Sequence, residues 1–197
     1  DGANAQGDYS IAAGYLSHAD GSNSAAYGSG SSSGGVSSTG IGHGSNASGD
    51  FSTAVGASST ASQNTASAFG AGAAATGPSS LASGEESTAS GDYSTALGAN
   101  TVAQGNYTVA IGGGGADAAS AYNLGDVAIG TNSSAGVDGG STTFDSAIGY
   151  GAQATGGNSV AGGSSTTASG NSSVALGNTA LASGDYWTAL GAYEEAD

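Results

Sequence analysis

The sequence predicts an all-β fold, a parallel β-solenoid (β-roll) of about thirteen coils with fourteen residues each. Three observations predict it: a glycine that returns at a fixed interval, residue columns locked to that glycine, and strand-like alternation in the residues before it.

The glycine is the clearest of the three. It stands at Gly14, Gly28, Gly42, Gly56, Gly70, Gly84, Gly98 and Gly112, then after two longer steps at Gly130, Gly149, Gly163, Gly177 and Gly191. With 39 Gly in 197 residues, composition alone is compatible with disorder. A drifting low-complexity chain, however, does not hold phase through thirteen repeats. Two residues before this Gly stands Ala in every repeat except at Gly40. One residue before it stands, in most repeats, a large aliphatic or aromatic residue such as Ile41, Val55, Phe69, Leu97, Ile111 or Leu176. Ala recurs five residues after it in most repeats, and a second Gly, often followed by Asp or Asn, recurs seven before it.

Two Gly in so short a unit would weaken a helix by about 1 kcal/mol each, and the unit is too short for a helical pair. Two strands of about five residues fit it, with Gly and Asp or Asn at corners that need positive φ. Tyr93-Ser-Thr-Ala-Leu97 and Tyr107-Thr-Val-Ala-Ile111 alternate with the period of two expected of strands. Coils stacked at about 4.8 Å make a rod of about 60 Å. Residues 1–197 thus read as one β-solenoid domain, with two longer coils at 113–129 and 131–148.

The Leu or Ile of each coil is expected inside, contributing about 1.5–3 kcal/mol on burial. Ordering each backbone residue costs on the order of 1 kcal/mol, so stacking and association must supply the remainder. The Ala column, on the opposite face, is the expected self-association ridge: Ala12, Ala26, Ala54, Ala68, Ala82, Ala96, Ala110, Ala128, Ala147, Ala161, Ala175 and Ala189. The competing reading has these Ala fill a narrow interior.

Charge narrows the function. The chain has 15 acidic residues, no Lys and no Arg, for a formal net charge of −15. It therefore lacks the groups that grip nucleic acid or an anionic membrane surface. Such a surface suits high salt, divalent cations and an extracellular or cell-surface setting. The chain has no Cys and is indifferent to redox compartment. It has no apolar run approaching the roughly 18 residues of a membrane-spanning helix. Beginning at Asp1, it reads as a mature or excised product.

No motif calls for catalysis or for a required cofactor. His18 and His43 are the only imidazoles and read as exposed turn residues. Gly112-Gly-Gly-Gly-Ala-Asp117 matches one unit of a calcium-binding nonapeptide that works in tandem arrays, and here it occurs once. A Walker-type phosphate loop is excluded by the missing Lys. Asp8, Asp50, Asp92 and Asp185 share one corner position and never fall on adjacent coils, which reads as solvated turn chemistry. The two longer coils are expected to bulge side by side and bring Asp117, Asp126, Asp138 and Asp145 together, near Tyr122 and Phe144, as a calcium or ligand patch.

The phrases Tyr107-Thr-Val-Ala-Ile-Gly112, Asp126-Val-Ala-Ile-Gly130, Asn158-Ser-Val-Ala161 and Asn171-Ser-Ser-Val-Ala-Leu-Gly177 resemble the head repeat of YadA-type trimeric autotransporter adhesins. The resemblance covers residues from about 5 to 196. It implies a left-handed β-roll, a homotrimer about a common axis, and attachment to host matrix or another surface. Two features depart from that pattern: no neck, stalk or anchor follows Asp197, and Lys and Arg are absent. Both terminal coils match the unit and no cap is evident. A head-to-tail filament, with calcium bridging Glu194, Glu195 and Asp197 to Asp1 of the next subunit, is accordingly the alternative to a discrete head. An ice-binding solenoid fits less well, since Thr39, Thr53, Thr95 and Thr188 form no regular ladder.

Overall fold

Each coil must place two strands and two chain reversals within fourteen residues, so its strands are short. The computed structural model describes residues 2–196, an all-β parallel solenoid of about fourteen coils. Gly115–Asp117 is the one helical turn among them. Two-residue strands alternate with three-residue strands, where two strands of about five were expected, because turn residues occupy the rest of each coil. The chain divides into two units, Asp1–Tyr93 and Ser94–Asp197.

In the first unit the two-residue strands run from Asn4–Ala5 to Thr88–Ala89. Each pairs in parallel with its counterpart one coil on, as His18 does with Ser32. The three-residue strands, Ile11–Ala13 to Leu81–Ser83, make a second parallel ladder in which Ala54 stands opposite Ala68. The second unit repeats the plan, with three-residue strands from Thr95–Leu97 to Thr188–Leu190 and two-residue strands from Val102–Ala103 to Glu195–Ala196. Its register passes the longer coils without a slip, Val109 facing Val127 and Val127 facing Ser146.

The corners explain the glycines. A Gly opens most turns, and in most of them a Ser or Thr three residues on closes it: the Ser80 amide and Oγ donate to the Gly77 carbonyl at 3.2 and 2.6 Å. Between them Ser79 has φ 55°, the positive value that the third residue of a type II turn requires. Stacking imposes the Gly itself, since a Cβ on Gly21 would overlap the carbonyl of Gly35 in the next coil.

Inside, the roll is narrow. The middle residue of each three-residue strand, the second of each two-residue strand and the closing Ser or Thr point inward, and among the described residues no fully buried side chain is larger than Thr or Asp. This corrects the expected ridge. Ala26, Ala54, Ala68, Ala82, Ala96, Ala110, Ala128, Ala147, Ala161 and Ala175 are 0 % exposed and Ala189 is 3 %, so they fill the interior; Ala12, in the first coil, is half-buried. The large aliphatic residues, expected inside, stand outside because nothing of their size fits between the two ladders.

Gly40 shows how tight the interior is. A Cβ there would lie 2.8 Å from the Ser32 carbonyl oxygen and 2.9 Å from Ser33 Oγ. Ser33 stands where neighbouring coils have Ala19 and Ala47, and its hydroxyl donates to the Ala25 carbonyl at 2.6 Å. The extra oxygen in one column matches the missing methyl in the other. Gly40→Ala alone should therefore cost on the order of 1–3 kcal/mol. Adding Ser33→Ala removes the Oγ contact and leaves the Ser32 carbonyl contact, so it should recover part of that loss, as read by denaturant unfolding of the single and double variants.

Candidate functional surface

Alternate residues of a strand point to opposite faces, so an inward Ala sends both its neighbours outward. In the second unit these outward residues include Val109 and Ile111, Val127 and Ile129, and Val174 and Leu176. Parallel register stacks Leu97 on Ile111, Ile111 on Ile129 and Ile129 on Ile148. The first unit carries a shorter version, Tyr27 on Ile41, Ile41 on Val55 and Val55 on Phe69. Ile41 and Phe69 are 40 % and 41 % exposed, Ile148 48 % and Leu190 62 %. Contiguous apolar surface of this kind marks interaction sites. The two-residue strands present instead a mostly polar face, with Asn46, Thr60, Thr88, Ser120 and Thr167 pointing outward.

The four aspartates of the longer coils are not brought together. After Ile111 the chain needs eight residues to reach Ser120, where Leu97 needs four to reach Val102. After Ala135 it needs ten to reach Ser146, where Ala103 needs five to reach Val109. The first insertion therefore follows a three-residue strand and the second a two-residue strand, at opposite corners of the coil, and they do not bulge side by side. Asp117 and Asp138 are exposed, one in each loop, while Asp126 and Asp145 are 0 % exposed. No group of three or more acidic or imidazole side chains placed to hold a metal ion occurs among the described residues.

Asp126 and Asp145 occupy the inward column filled by Ser or Thr in the neighbouring coils, and they are adjacent in it. Asp126 accepts the Asn123 amide at Oδ2 and the Asp145 amide at Oδ1, each at 2.9 Å. Asp145 Oδ1 accepts the amides of Gly157 and Ser159 at 2.9 Å and the Ser159 hydroxyl at 2.6 Å. Its Oδ2 is buried without a partner. These carboxylates thus tie the corners of successive long coils. Burial pushes the Asp126 carboxyl up to about 6; its two backbone hydrogen bonds oppose the shift and the neighbouring Asp145 adds to it.

The corner aspartates do more than meet solvent. Asp50 Oδ1 accepts the Val36 amide and Asp185 Oδ1 the Asn171 amide, both at 2.8 Å and both from the same position one coil earlier. His18 is half-buried, its Nδ1 lying 2.9 Å from the Leu16 carbonyl oxygen, a local turn contact. Asp1 and Asp197, two of the four residues expected to bridge ends through calcium, lie outside the described residues. No helix among the described residues is long and apolar enough to cross a membrane.

A comparison with curated proteins gives no match. The YadA head domain repeat matches residues 5–31, 33–59, 52–73, 75–101, 89–114, 145–166 and 168–193, and leaves unmatched the stretch that holds both insertions. The long unmatched part, residues 115–144, is where the coil departs from fourteen residues. The chain belongs to the YadA head domain repeat family.

Proposed function

We propose that this protein is a non-enzymatic extracellular adhesion head whose chains associate side by side, as a homotrimer, through the apolar stripe of the three-residue strands. The observation that carries this reading is the position of the large apolar residues. A single chain buries mainly Ala, Ser and Thr and leaves its Ile, Leu, Val and Phe half-exposed. Completing the burial of such side chains is worth up to about 1.5–3 kcal/mol each, and lateral association repeats that gain coil after coil. The family is structural and adhesive, and its repeats support a cell-surface location. With the stripe covered, the polar face of the two-residue strands is left for a partner such as host matrix or another surface. Because the chain supplies no positive charge, complementarity favours partners that are neutral or basic.

Replacing Ile111 and Ile129 by Asp tests the stripe. Both side chains point outward, so the β signal in circular dichroism should persist while sedimentation shows a single chain. Assembly that survived both substitutions would remove the stripe as the interface.

A further inference from the structure

In the first unit, at the corner that follows each two-residue strand, an aromatic residue returns in every third coil. The residue there is third in its turn, and its amide donates to the carbonyl of the second turn residue one coil earlier, as Phe51 does to Val36 at 2.8 Å and Tyr93 to Pro78 at 2.9 Å. These bonds hold the corners in one column. Along it Tyr9, Phe51 and Tyr93 are separated by pairs of small polar residues, Asn23 and Ser37, then Thr65 and Ser79.

The rings stand where the backbone resists them. Tyr9 and Phe51 have φ 58° and Tyr93 56°, a region enriched in Asn and unfavourable for bulky side chains. They are 90 %, 63 % and 58 % exposed, so burial offsets little of that strain. Strain of this kind gathers at functional positions. Phe51 lacks the hydroxyl of the two Tyr, so what the three share is the ring face. Each also directly follows an aspartate, Asp8, Asp50 or Asp92. Asp50 Oδ1 accepts the Val36 amide, which fixes the carboxylate and leaves Oδ2 for an incoming donor. A ring face beside a carboxylate suits a cation, which the face attracts and the carboxylate pairs.

We propose that this corner of the first unit holds an extended basic polypeptide, each ring and its aspartate taking one Lys or Arg side chain. Three coils advance about 14 Å and an extended chain about 3.3 Å per residue, so cations about four residues apart meet successive rings. A second copy of this chain offers no such group, having neither Lys nor Arg, so the occupant is a foreign protein. The proposal rests on the adhesion reading, which it deepens by naming the partner's chemistry, and is independent of how the chains associate.

Calorimetric titration of the full chain tests it, at about 0.15 M salt, where the Debye length is about 8 Å and distant charges are screened. The probe is a peptide with Lys at every fourth position among Ser and Thr, and the variant combines Tyr9→Asn, Phe51→Asn and Tyr93→Asn. Asn23 already occupies this position at φ 58°, so the variant keeps the turn and the net charge. The parent should bind the probe at least tenfold more tightly than the variant does, and more tightly than a peptide of the same composition with its Lys clustered. Equal affinity of parent and variant would overturn the proposal, and so would equal affinity of the parent for the two peptides, a comparison that needs no variant. Binding of a neutral β-linked glucose oligomer that the variant loses would overturn it too, by giving the rings to a glycan. Sedimentation reads the assembly separately: parent and variant should associate alike, and a variant that separates would make the rings a contact between copies. A parent that assembles and ignores both peptides would overturn this proposal and leave the adhesion reading standing.

Discussion

Ala96→Gln is expected to unfold the coils around it, not merely to separate chains. Ala96 is fully buried in the inward column, in register with Ala110 of the next coil. Glutamine adds a chain that the narrow interior cannot hold and an amide it cannot satisfy. Overpacking costs about 1–3 kcal/mol and an unpaired buried polar group about 1–3 kcal/mol more. A total of about 2–6 kcal/mol is a large part of what holds most domains folded. Circular dichroism should show the β signal of Ala96→Gln melting far below that of the parent, and Ala110→Gln should behave alike. A variant that kept its melting temperature and lost only its assembly would return these Ala to the surface.

Raising the pH from about 4 to about 7 is expected to destabilise the second unit through Asp126. Its carboxyl titrates at about 6 in the folded chain against an ordinary 3.8. Between those values the folded state keeps a proton that the unfolded state has released, so stability is greatest at the acid side of the window and falls as pH climbs through it. The loss is complete above the folded value and bounded at about 3 kcal/mol. Asp145 faces Asp126 from the following coil and Thr108 precedes it in the column, while residues 94–197 contain no Lys, Arg or His to offset either carboxylate. Asp126→Ser installs the common residue of that column and should flatten the dependence of melting temperature on pH between about 4 and 7. An unchanged slope in the variant would assign the proton to another group.

The period and its glycines were legible because their cause is local: stacked backbones leave no room for a Cβ at Gly21 or Gly170. Inside and outside were not. An alternating Thr95-Ala96-Leu97 says that Ala and Leu face opposite ways without saying which face is closed, and the general tendency of Leu and Ile to be buried pointed the wrong way. The signal that could have settled it was at Gly40, where a lost methyl accompanies the added hydroxyl of Ser33; only an interior links the volumes of two columns. The insertions failed for a similar reason. Distances between closing glycines report how many residues a coil gains, not at which of its two corners. Trp187 and Glu194 were visible as departures, since each breaks a column of small residues, but those columns were not recognised as interior. Asp126 and Asp145 carried the same signal, acids standing in a Ser column, and were read as surface ligands for want of that assignment.

The in-register pairing of Ala with Ala, and of turn with turn, has an evolutionary consequence. A regular coil added between two others meets neighbours shaped like those it displaces, so duplication of fourteen codons lengthens the protein without redesign at the join. Corner motifs support such a history in the first unit, where Gly7-Asp-Tyr9 returns as Gly49-Asp-Phe51 and Gly91-Asp-Tyr93, each three coils from the last. Length then becomes a heritable trait adjustable in steps of about 4.8 Å. Outward residues can diversify between copies while inward Ala is held constant, so a lineage can change what the surface meets without revising how the chain folds.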